Sequence, residues 1–303
     1  MNSMDKKQIA GNLAAAGAYT IFGLNIVLCK DIAKSAVIAP LPLFTVRAAG
    51  AAALFWLLSL VLPREKVDTR DLPKIALASL IGLFIPQATF LSAISVSTTI
   101  DTAIFGTLSP IFTMLIAAAA LKEPITFKKA SGVAISLAGV LLLIFNSATA
   151  ASGVEKTSMA GVVLLLLNAL SFAAYLGIFR PLISKYSVVT FMKWMFLFAF
   201  AIALPFSAKG LAGTDFGSIP GNVLLEIGYL VLFATFVAYF LIPIGQKNVR
   251  PTIVSMYSYL QPVIAAAVSV AVGMDTFSWK KAAAAVLVVT GVVIVNRSRA
   301  ATQ

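Results

Sequence analysis

Two stretches of this sequence decide the fold, because they repeat each other. Residues 108–140 read LSPIFTMLIAAAALKEPITFKKASGVAISLAGV, and residues 260–292 read LQPVIAAAVSVAVGMDTFSWKKAAAAVLVVTGV. Aligned without a gap at an offset of 152, identical residues pair as Leu108/Leu260, Pro110/Pro262, Ala119/Ala271, Lys128/Lys280, Lys129/Lys281, Ala130/Ala282, Gly139/Gly291 and Val140/Val292. Similar residues pair as Glu123/Asp275, Thr126/Ser278 and Phe127/Trp279. Because one offset serves more than thirty residues, the sequence predicts an internal repeat.

The composition is that of a membrane protein. Hydrophobic residues make up 60% of the 303 residues and charged residues only 11%, with a mean hydropathy of +0.98. Soluble proteins carry about 25% charged residues. The net charge of +12 is therefore assigned to loops that face anionic lipid, rather than to nucleic-acid binding. The lone Cys29 excludes an internal disulfide and a cysteine-based metal cluster, and we interpret it as a span residue.

Apolar runs, separated by charged or Gly/Pro-rich breaks, predict ten membrane spans. They lie at residues 9–29, 41–62, 75–95, 102–121, 130–147, 160–179, 188–207, 223–245, 252–273 and 281–296. Residues 148–158 form the polar linker between the halves. The connection at 95–101 is short, so one re-entrant pair is the alternative there. Residues 1–8 are polar and the first run has full spanning length, so we expect no cleavable signal peptide.

An odd number of spans in each half predicts an inverted second copy. With five spans per half, the second copy enters the membrane upside down, which is how many secondary transporters are built. The predicted fold is an all-α membrane protein with ten transmembrane helices, arranged as two inverted five-helix repeats over residues 1–150 and 151–303.

The distribution of Lys and Arg predicts the orientation of these spans. One side of the membrane receives 15 of these residues, including those of both terminal segments, and the opposite side receives 6. Because positively charged loops remain in the cytoplasm, both termini are predicted to be cytoplasmic. The repeat mates Lys128 and Lys280 fall on opposite sides, as inversion requires.

Several segments resemble the drug/metabolite transporter superfamily, in its EamA-type ten-span branch. In the first copy they are Pro110, the small residues 117–120, the Glu-Pro-Ile-Thr motif at 123–126, Lys129, Gly132 and Gly139. In the second copy they are Pro262, residues 265–267, the Asp-Thr-Phe-Ser sequence at 275–278, and Gly291. Within that branch, the sequence as a whole most resembles the YddG-type amino-acid exporters. The resemblance implies ten helices around a central cavity in the inner membrane, and transport by alternating access. Asp275-Thr276 replaces the family's Glu-Pro, which leaves the equivalence of the two gates open.

Polar and aromatic side chains in mid-span positions are the candidates for a substrate cavity, because they can hydrogen-bond a zwitterion or offer a ring face. The candidates for substrate binding are Asn25, Gln87, Asn168, Tyr175, Tyr239, Gln246, Tyr257, Tyr259 and Gln261. Hydrogen bonding between helices, or an interfacial aromatic belt, is the alternative for each. We favour the cavity for the cluster at 257–261, because a helix bent at Pro262 would expose these side chains.

Prolines and cations inside the spans are the candidates for gating. Four prolines inside the spans are predicted to kink their helices, namely Pro86, Pro110, Pro243 and Pro262. Because Pro110 and Pro262 are repeat mates, they suggest a shared mechanical role. A static kink is the alternative.

Two cations lie well inside the predicted spans. Arg47 lies in the second span, where the family resemblance places a matching element, and Lys193 lies in the corresponding part of the seventh. Each is interpreted as a gating or structural residue that either contacts a substrate carboxylate or reaches the interface.

Other features disfavour catalysis. The chain has no histidine, no Gly-rich phosphate loop and no pair of carboxylates within a span, so we expect neither an enzyme nor an ATP-driven pump, and no cofactor or metal. The expected partners are a small-molecule substrate and membrane lipid, with no nucleic acid. Small-residue tracts are predicted to pack helices together, in a monomer or weak homodimer. A non-transporting receptor or scaffold fits the inverted repeat poorly.

The sequence therefore predicts a secondary transporter that exports small metabolites, with amino acids, including aromatic ones, as the favoured substrates. Export of drugs or other metabolites with proton antiport is the alternative, and nucleotide-sugar exchange ranks third. Facilitated diffusion is favoured over proton coupling, because a proton-coupled carrier needs a titratable group within the membrane. Asp101, Glu226 and Lys193 are the groups that could supply one.

Overall fold

The computed structural model describes residues 3–94, 96–97, 105–148, 158–271 and 278–298. All regular structure within these ranges is helical. Asp101, Asp275 and Thr276 lie outside the described residues, as do most of the connection at 95–101 and of the linker at 148–158.

Fourteen α-helices form the described part of the chain. In the first half they are α1 (Ser3–Ser35), α2 (Pro40–Leu60), α3 (Leu72–Ser79), α4 (Ile85–Ile94), α5 (Ser109–Leu121) and α6 (Phe127–Ala148). In the second half they are α7 (Met159–Ile178), α8 (Arg180–Lys185), α9 (Val188–Ala212), α10 (Gly221–Tyr229), α11 (Ala238–Asn248), α12 (Pro251–Met256), α13 (Leu260–Ala271) and α14 (Trp279–Asn296). Short 3₁₀ helices occupy Thr69–Asp71, Phe216–Ser218 and Tyr257–Tyr259.

Many of these helices have the length and composition of membrane spans. Seven segments qualify, namely Lys6–Ala33, Pro40–Leu60, Thr69–Ala93, Met159–Ile178, Val188–Ala212, Gly221–Asn248 and Trp279–Asn296. The other three predicted runs also contain helices, which are α5, α6 and the pair α12 and α13. The prediction of a multi-pass, all-helical membrane protein is confirmed, whereas the count of ten spans stays a prediction.

Helices of the two halves pack reciprocally. A methyl group on Gly139 of α6 would lie 2.8 Å from the carbonyl oxygen of Ala284 in α14. A methyl group on Gly291 of α14 would lie 2.4 Å from the carbonyl oxygen of Gly132 in α6. Because Gly139 and Gly291 are repeat mates, as are Gly132 and Ala284, each contact is the counterpart of the other. Such reciprocity is the property of an interface with two-fold symmetry.

Three hydrogen bonds join residues separated by 152 positions, which is the repeat offset. They run from Gln87 to the Tyr239 hydroxyl (2.9 Å), from Tyr259 to the Thr107 carbonyl (3.0 Å) and from Ser136 to the Val288 carbonyl (3.0 Å). Equivalent residues of two related halves can touch only close to the axis that relates them. The three bonds therefore lie along a pseudo-two-fold axis.

Both repeats also contain a π-helical segment at the same place. Leu80–Phe84 joins α3 to α4, and Leu230–Val237 joins α10 to α11. Adding the repeat offset to the first segment gives residues 232–236, which lie inside the second. Gln87 and Tyr239, which bond to each other at the axis, follow these segments within one turn. Since π-helical turns in α-helices are frequent at functional sites, the residues near the axis beside these two segments are candidates for the functional site.

Pro110 and Pro262 each lie in the first turn of an α-helix rather than in its middle, and the prediction that they kink their helices stays a prediction. Pro110 lies in the first turn of α5, after a turn at residues 107–108. Pro262 lies in the first turn of α13, directly after the 3₁₀ helix Tyr257–Tyr259. The first N–H groups of a helix have no intrahelical partner, so a proline there removes no hydrogen bond. The repeats therefore share an interruption just before each proline.

Candidate functional site

The pair Gln87 and Tyr239 lies in the interior of the helix bundle. Tyr239 is buried, and its hydroxyl accepts a hydrogen bond from Nε2 of Gln87 at 2.9 Å. The other amide atom, Oε1 of Gln87, is also buried and has no hydrogen-bond partner within the described part of the chain. Buried polar atoms in proteins nearly always have a partner. The free oxygen can therefore accept a hydrogen bond from a ligand or a water molecule.

Aromatic rings surround Tyr239. The rings of Phe22 and Phe196 meet the Tyr239 ring edge-on, with centroids 5.4 and 5.5 Å away. Tyr19 extends this group, since its ring lies edge-on to Phe22 at 5.7 Å. The Tyr19 hydroxyl is buried and, among the described residues, unpartnered. The result is a mostly apolar wall with isolated polar atoms, which is typical of small-molecule sites.

Tyr175 occupies a related position against the first π-helical segment. Its ring packs over Gly82, where a Cβ atom would lie 2.4 Å from the ring. Only glycine permits this approach. Like that of Tyr19, the Tyr175 hydroxyl is buried without a partner in the described ranges.

Arg47 lies beside this aromatic wall, with only 1% of its surface exposed. Its Nε atom donates to the hydroxyl of Thr235 at 2.9 Å, and Thr235 in turn donates to the Leu230 carbonyl at 2.7 Å. The latter bond spans five residues within the second π-helical segment. The widened turn therefore presents a hydroxyl to a buried guanidinium.

Asn25 and Cys29 complete the surroundings of Arg47. Nη1 of Arg47 lies 3.9 Å from the Cys29 sulfur, and the thiol donates to Oδ1 of Asn25 at 3.5 Å. Asn25 is one turn of α1 away from Phe22, which touches Tyr239. A continuous set of contacts thus links Arg47, Asn25 and the Gln87–Tyr239 pair. We call these residues, with Tyr19, Phe22 and Thr235, the central cluster.

Four other candidates use their polar atoms to join helices. Nδ2 of Asn168 donates to the Pro86 carbonyl at 2.7 Å, and Nε2 of Gln246 donates to the Leu176 carbonyl at 3.2 Å. Tyr257 donates to Oδ1 of Asn12 at 3.1 Å, and Tyr259 bonds to Thr107 as described above. Their assignment to the substrate pathway stays a prediction, although Oε1 of Gln246 has no partner in the described structure.

Gln261 and Lys193 make contacts of other kinds. The backbone of Gln261 packs against Gly23 of α1, where a Cβ would lie 3.1 Å from the Gln261 carbonyl oxygen. The Nζ atom of Lys193 lies over the Trp56 ring, 4.7 Å from its centroid. At the repeat offset the mate of Arg47 is Ala199, so the two cations do not have equivalent surroundings.

Three members of the central cluster, Tyr19, Phe22 and Thr235, were not among the predicted site residues, and Phe22 is one of many apolar residues in its run. Tyr19 meets the same criterion as the others, since it is an aromatic side chain with a hydroxyl in the middle of an apolar run. Thr235 has no such signal, because a threonine in a helix commonly bonds to its own backbone. Only the π-helical geometry identifies it.

A second group of polar contacts lies at the end of the bundle where α5 ends and α6 begins. Nζ of Lys129 donates to Oε1 of Glu123 at 2.6 Å and to the Pro124 carbonyl at 2.8 Å. Thr252 of α12 donates to the other Glu123 oxygen at 3.3 Å. Glu123 therefore forms a buried ion pair with Lys129 of its own half, and Thr252 of the other half donates a hydrogen bond to the same carboxylate. We call Glu123, Lys129 and Thr252 the buried latch.

More exposed contacts lie at the ends of neighbouring helices. Asp71 bonds Lys185 at 2.5 Å and Tyr186 at 2.7 Å, and the Ser187 N–H donates to Glu65 at 2.9 Å. Partial burial raises the pKa of Glu65, but hydrogen bonds from Ser187 and Thr190 outweigh it and hold this pKa below its usual value. In the ranges that the structure describes, no group of three or more His, Cys, Asp or Glu side chains could hold a metal ion.

Comparisons with known proteins agree with this architecture. A sequence profile described as the EamA-like transporter family matches residues 9–145 and, again, residues 159–297. An "Uncharacterized transporter" of Archaeoglobus fulgidus is 23% identical over 284 residues, which cover 92% of this chain and 96% of the relative. The "Uncharacterized transporter YcxC" of Bacillus subtilis is 28% identical over 191 residues, or 61% of this chain and 60% of the relative. A protein of known crystal structure, 16% identical, has the same fold, with a TM-score of 0.75 and coverage of 96% of both chains. This chain therefore belongs to the EamA-like transporter family and contains the family's domain twice.

Proposed function

We propose that this protein is a secondary transporter that exports small metabolites, with amino acids, including aromatic ones, as its main substrates. The observation that carries the proposal is the central cluster. It places a hydrogen-bonded pair, Gln87 and Tyr239, between the two repeats and close to their axis. A site at this position can face either side of a membrane when the repeats move relative to each other.

The chemistry of the central cluster supports a substrate with both apolar and polar parts. Aromatic rings from Phe22, Phe196 and Tyr19 offer faces and edges to an apolar side chain. The free oxygen of Gln87 can accept a hydrogen bond from an ammonium group. YddG-type amino-acid export is consistent with this combination.

The topology we propose has ten spans in two inverted repeats, in the inner membrane, with both termini in the cytoplasm. In this topology the buried latch lies at the cytoplasmic end of the bundle. Glu123 and Thr252 then connect the two halves on that side. Opening to the cytoplasm would require this connection to separate, as alternating access demands.

Exchange in proteoliposomes tests the proposal. Vesicles containing the purified full chain are loaded with an unlabelled amino acid, and uptake of the labelled compound is measured for phenylalanine, tyrosine, tryptophan, leucine and threonine. We expect exchange of at least one of them and a loss of tenfold or more in Gln87→Ala. Thr89→Ala is the matched control on α4, because its hydroxyl bonds only to carbonyls of its own helix, Ile85 and Pro86. If none of the five compounds is exchanged, the amino-acid assignment is wrong.

One structural observation supports proton antiport, which is the alternative to facilitated diffusion. The carboxyl group of Glu226 in α10 faces that of Asp31 in α1. Neighbouring carboxylates repel each other in general, and binding of a proton relieves that repulsion. Cys29 lies within electrostatic reach of Glu226, so this pair adjoins the central cluster.

A pH gradient across the vesicle membrane separates the two energetic modes. Facilitated diffusion predicts no accumulation of labelled substrate above its external concentration. Proton antiport predicts uphill accumulation that Glu226→Gln abolishes. Asp215→Asn is the control, since Asp215 caps a short exposed 3₁₀ helix.

A further inference from the structure

The guanidinium of Arg47 is buried with most of its hydrogen-bonding capacity unused. Arginine stays charged in proteins and offers five N–H donors. Among the residues that the structure describes, Nε has a hydroxyl partner in Thr235, Nη1 has only the weak acceptor Sγ of Cys29, and Nη2 has no partner. Because its exposed surface is 1%, bulk water does not replace the missing acceptors.

No carboxylate forms an ion pair with Arg47 in the described structure, although Glu226 lies within electrostatic reach of the neighbouring Cys29. The ion pairs within the described ranges join Lys74 and Lys185 to Asp71, and Lys129 to Glu123. A buried charge without a counter-charge is strongly unfavourable in a membrane bundle, and such residues are typically functional. The free edge of the guanidinium is formed by the two Nη atoms, which is the geometry that binds a planar anion through two parallel hydrogen bonds.

We propose that Arg47 is the binding site for a carboxylate group of the transported molecule, an inference that rests on the proposed transport function. The Cys29 thiol beside Nη1 of Arg47 donates to Asn25, and Tyr239 lies within electrostatic reach of Arg47. The carboxylate binds at Nη1 and Nη2, the apolar body of the substrate lies against the rings of Phe22 and Tyr239, and the free oxygen of Gln87 accepts from its ammonium group. The site therefore selects aromatic or large neutral compounds that carry a carboxylate.

The test compares carboxylates with their uncharged amides on the purified full chain. Thermal unfolding is measured with L-phenylalanine, L-phenylalaninamide and benzoate, over a series of concentrations. We expect L-phenylalanine and benzoate to raise the melting temperature of the wild-type protein, and the amide to act at least tenfold more weakly. Arg47→Met should respond equally to acid and amide. Arg47→Lys keeps the positive charge but cannot form two parallel hydrogen bonds to a carboxylate. It should lose about tenfold in apparent affinity for L-phenylalanine.

Lys74→Met is the matched control, because it removes an exposed cation whose ion-pair partner is Asp71. It should keep the wild-type preference for the acid. If wild-type protein responds equally to acid and amide, or to neither, Arg47 is not a carboxylate site. The same conclusion holds if both Arg47 variants keep the wild-type preference.

Failure of this inference differs from failure of the proposed function. If labelled amino acids exchange equally well in wild type and Arg47→Met, the transport proposal holds and the carboxylate site is wrong. If no amino acid exchanges but benzoate still stabilises wild type and not Arg47→Met, the amino-acid assignment is wrong and the carboxylate site holds.

Discussion

In the function that we propose, Arg47 lowers the stability of the protein for the sake of substrate binding. Its charge is buried, and only the Thr235 hydroxyl is a good acceptor for it. Replacement by methionine would remove an uncompensated charge while filling a similar volume. Thr235 would stay satisfied, because its own proton is donated to the Leu230 carbonyl. The change in stability on replacing Arg47 therefore distinguishes the two roles. A rise indicates a binding residue, whereas a fall indicates a structural residue.

We expect Arg47→Met to raise the stability of the ligand-free protein by about 1–4 kcal/mol, the range seen when buried charges are replaced by apolar residues. Thermal unfolding of the purified chain without substrate measures this. A lower melting temperature than that of wild type would instead indicate that Arg47 holds α2 against the second π-helical segment. Thr235→Val is the companion variant, since it removes the acceptor and should lower stability in either case.

The polar residues of the site could be predicted only in part. Gln87, Tyr239, Asn25 and Tyr175 were selected because they are polar or aromatic in mid-span, and all of them lie at or beside the central cluster. The same criterion also selected Tyr257, which bonds to Asn12 instead. Hydropathy cannot separate these cases, because it gives depth along a helix but not the face on which a side chain lies.

At the scale of helices, apolar runs predicted where helices lie but not how they are interrupted. Each predicted run contains helix, because runs of about 20 apolar residues satisfy their backbone only in this way within lipid. The π-helical segments LIGLF and LVLFATFV lack internal proline and have no sequence signature that distinguishes them from α-helix. Their equivalent positions become evident only from the structure, and Thr235 was missed for this reason.

The close approach of α6 and α14 gives a prediction for a matched pair of glycines. Gly139→Ala and Gly291→Ala each place a methyl group closer than 3 Å to a backbone oxygen of the partner helix, so each should destabilise the protein by about 1–3 kcal/mol. The loss should be larger for Gly291→Ala, because its methyl group would also lie 2.2 Å from the Ser136 hydroxyl oxygen. Thermal unfolding measures both. Gly228→Ala in α10 is the control, since nothing lies within 4 Å of its added methyl, and it should be neutral or stabilising.

The buried latch gives a prediction for the connection between α5, α6 and α12. The side chains of Lys129 and Glu123 are 1% and 8% exposed, so Lys129→Ala removes the ion-pair partner of a buried carboxylate. Because Arg180 stays within electrostatic reach of Glu123, we expect a loss at or below the low end of the range of about 3–5 kcal/mol that breaking a buried pair costs. The double variant Glu123→Gln/Lys129→Met should recover most of this loss in an unfolding measurement. The neighbouring Lys128→Ala, at an exposed position, should have no effect. Equal losses in the single and double variants would mean that side-chain packing, and not charge pairing, stabilises the contact between α5, α6 and α12.

At the scale of the whole molecule, the pseudo-two-fold axis determines where transport can occur. Residues near the axis, such as Gln87 and Tyr239, contact both repeats and would change partners least when the repeats rotate about one another. Residues far from the axis move most, and the contact of Glu123 with Thr252 is one that such a movement would break. In the mechanism that we propose, the central cluster is the fixed part and the buried latch the mobile part of an alternating-access carrier.

The inverted topology predicts that repeat mates lie on opposite sides of the membrane. Lys128 and Lys280 are both exposed and begin equivalent helices, α6 and α14. In Lys128→Cys and Lys280→Cys, a membrane-impermeant maleimide added to intact cells should label only position 280, and both should react once the cells are opened. The single native thiol, Cys29, is 2% exposed, so the unmodified chain is the background control. Labelling of both positions, or of neither, in intact cells would place the two mates on one face and would rule out inverted repeats.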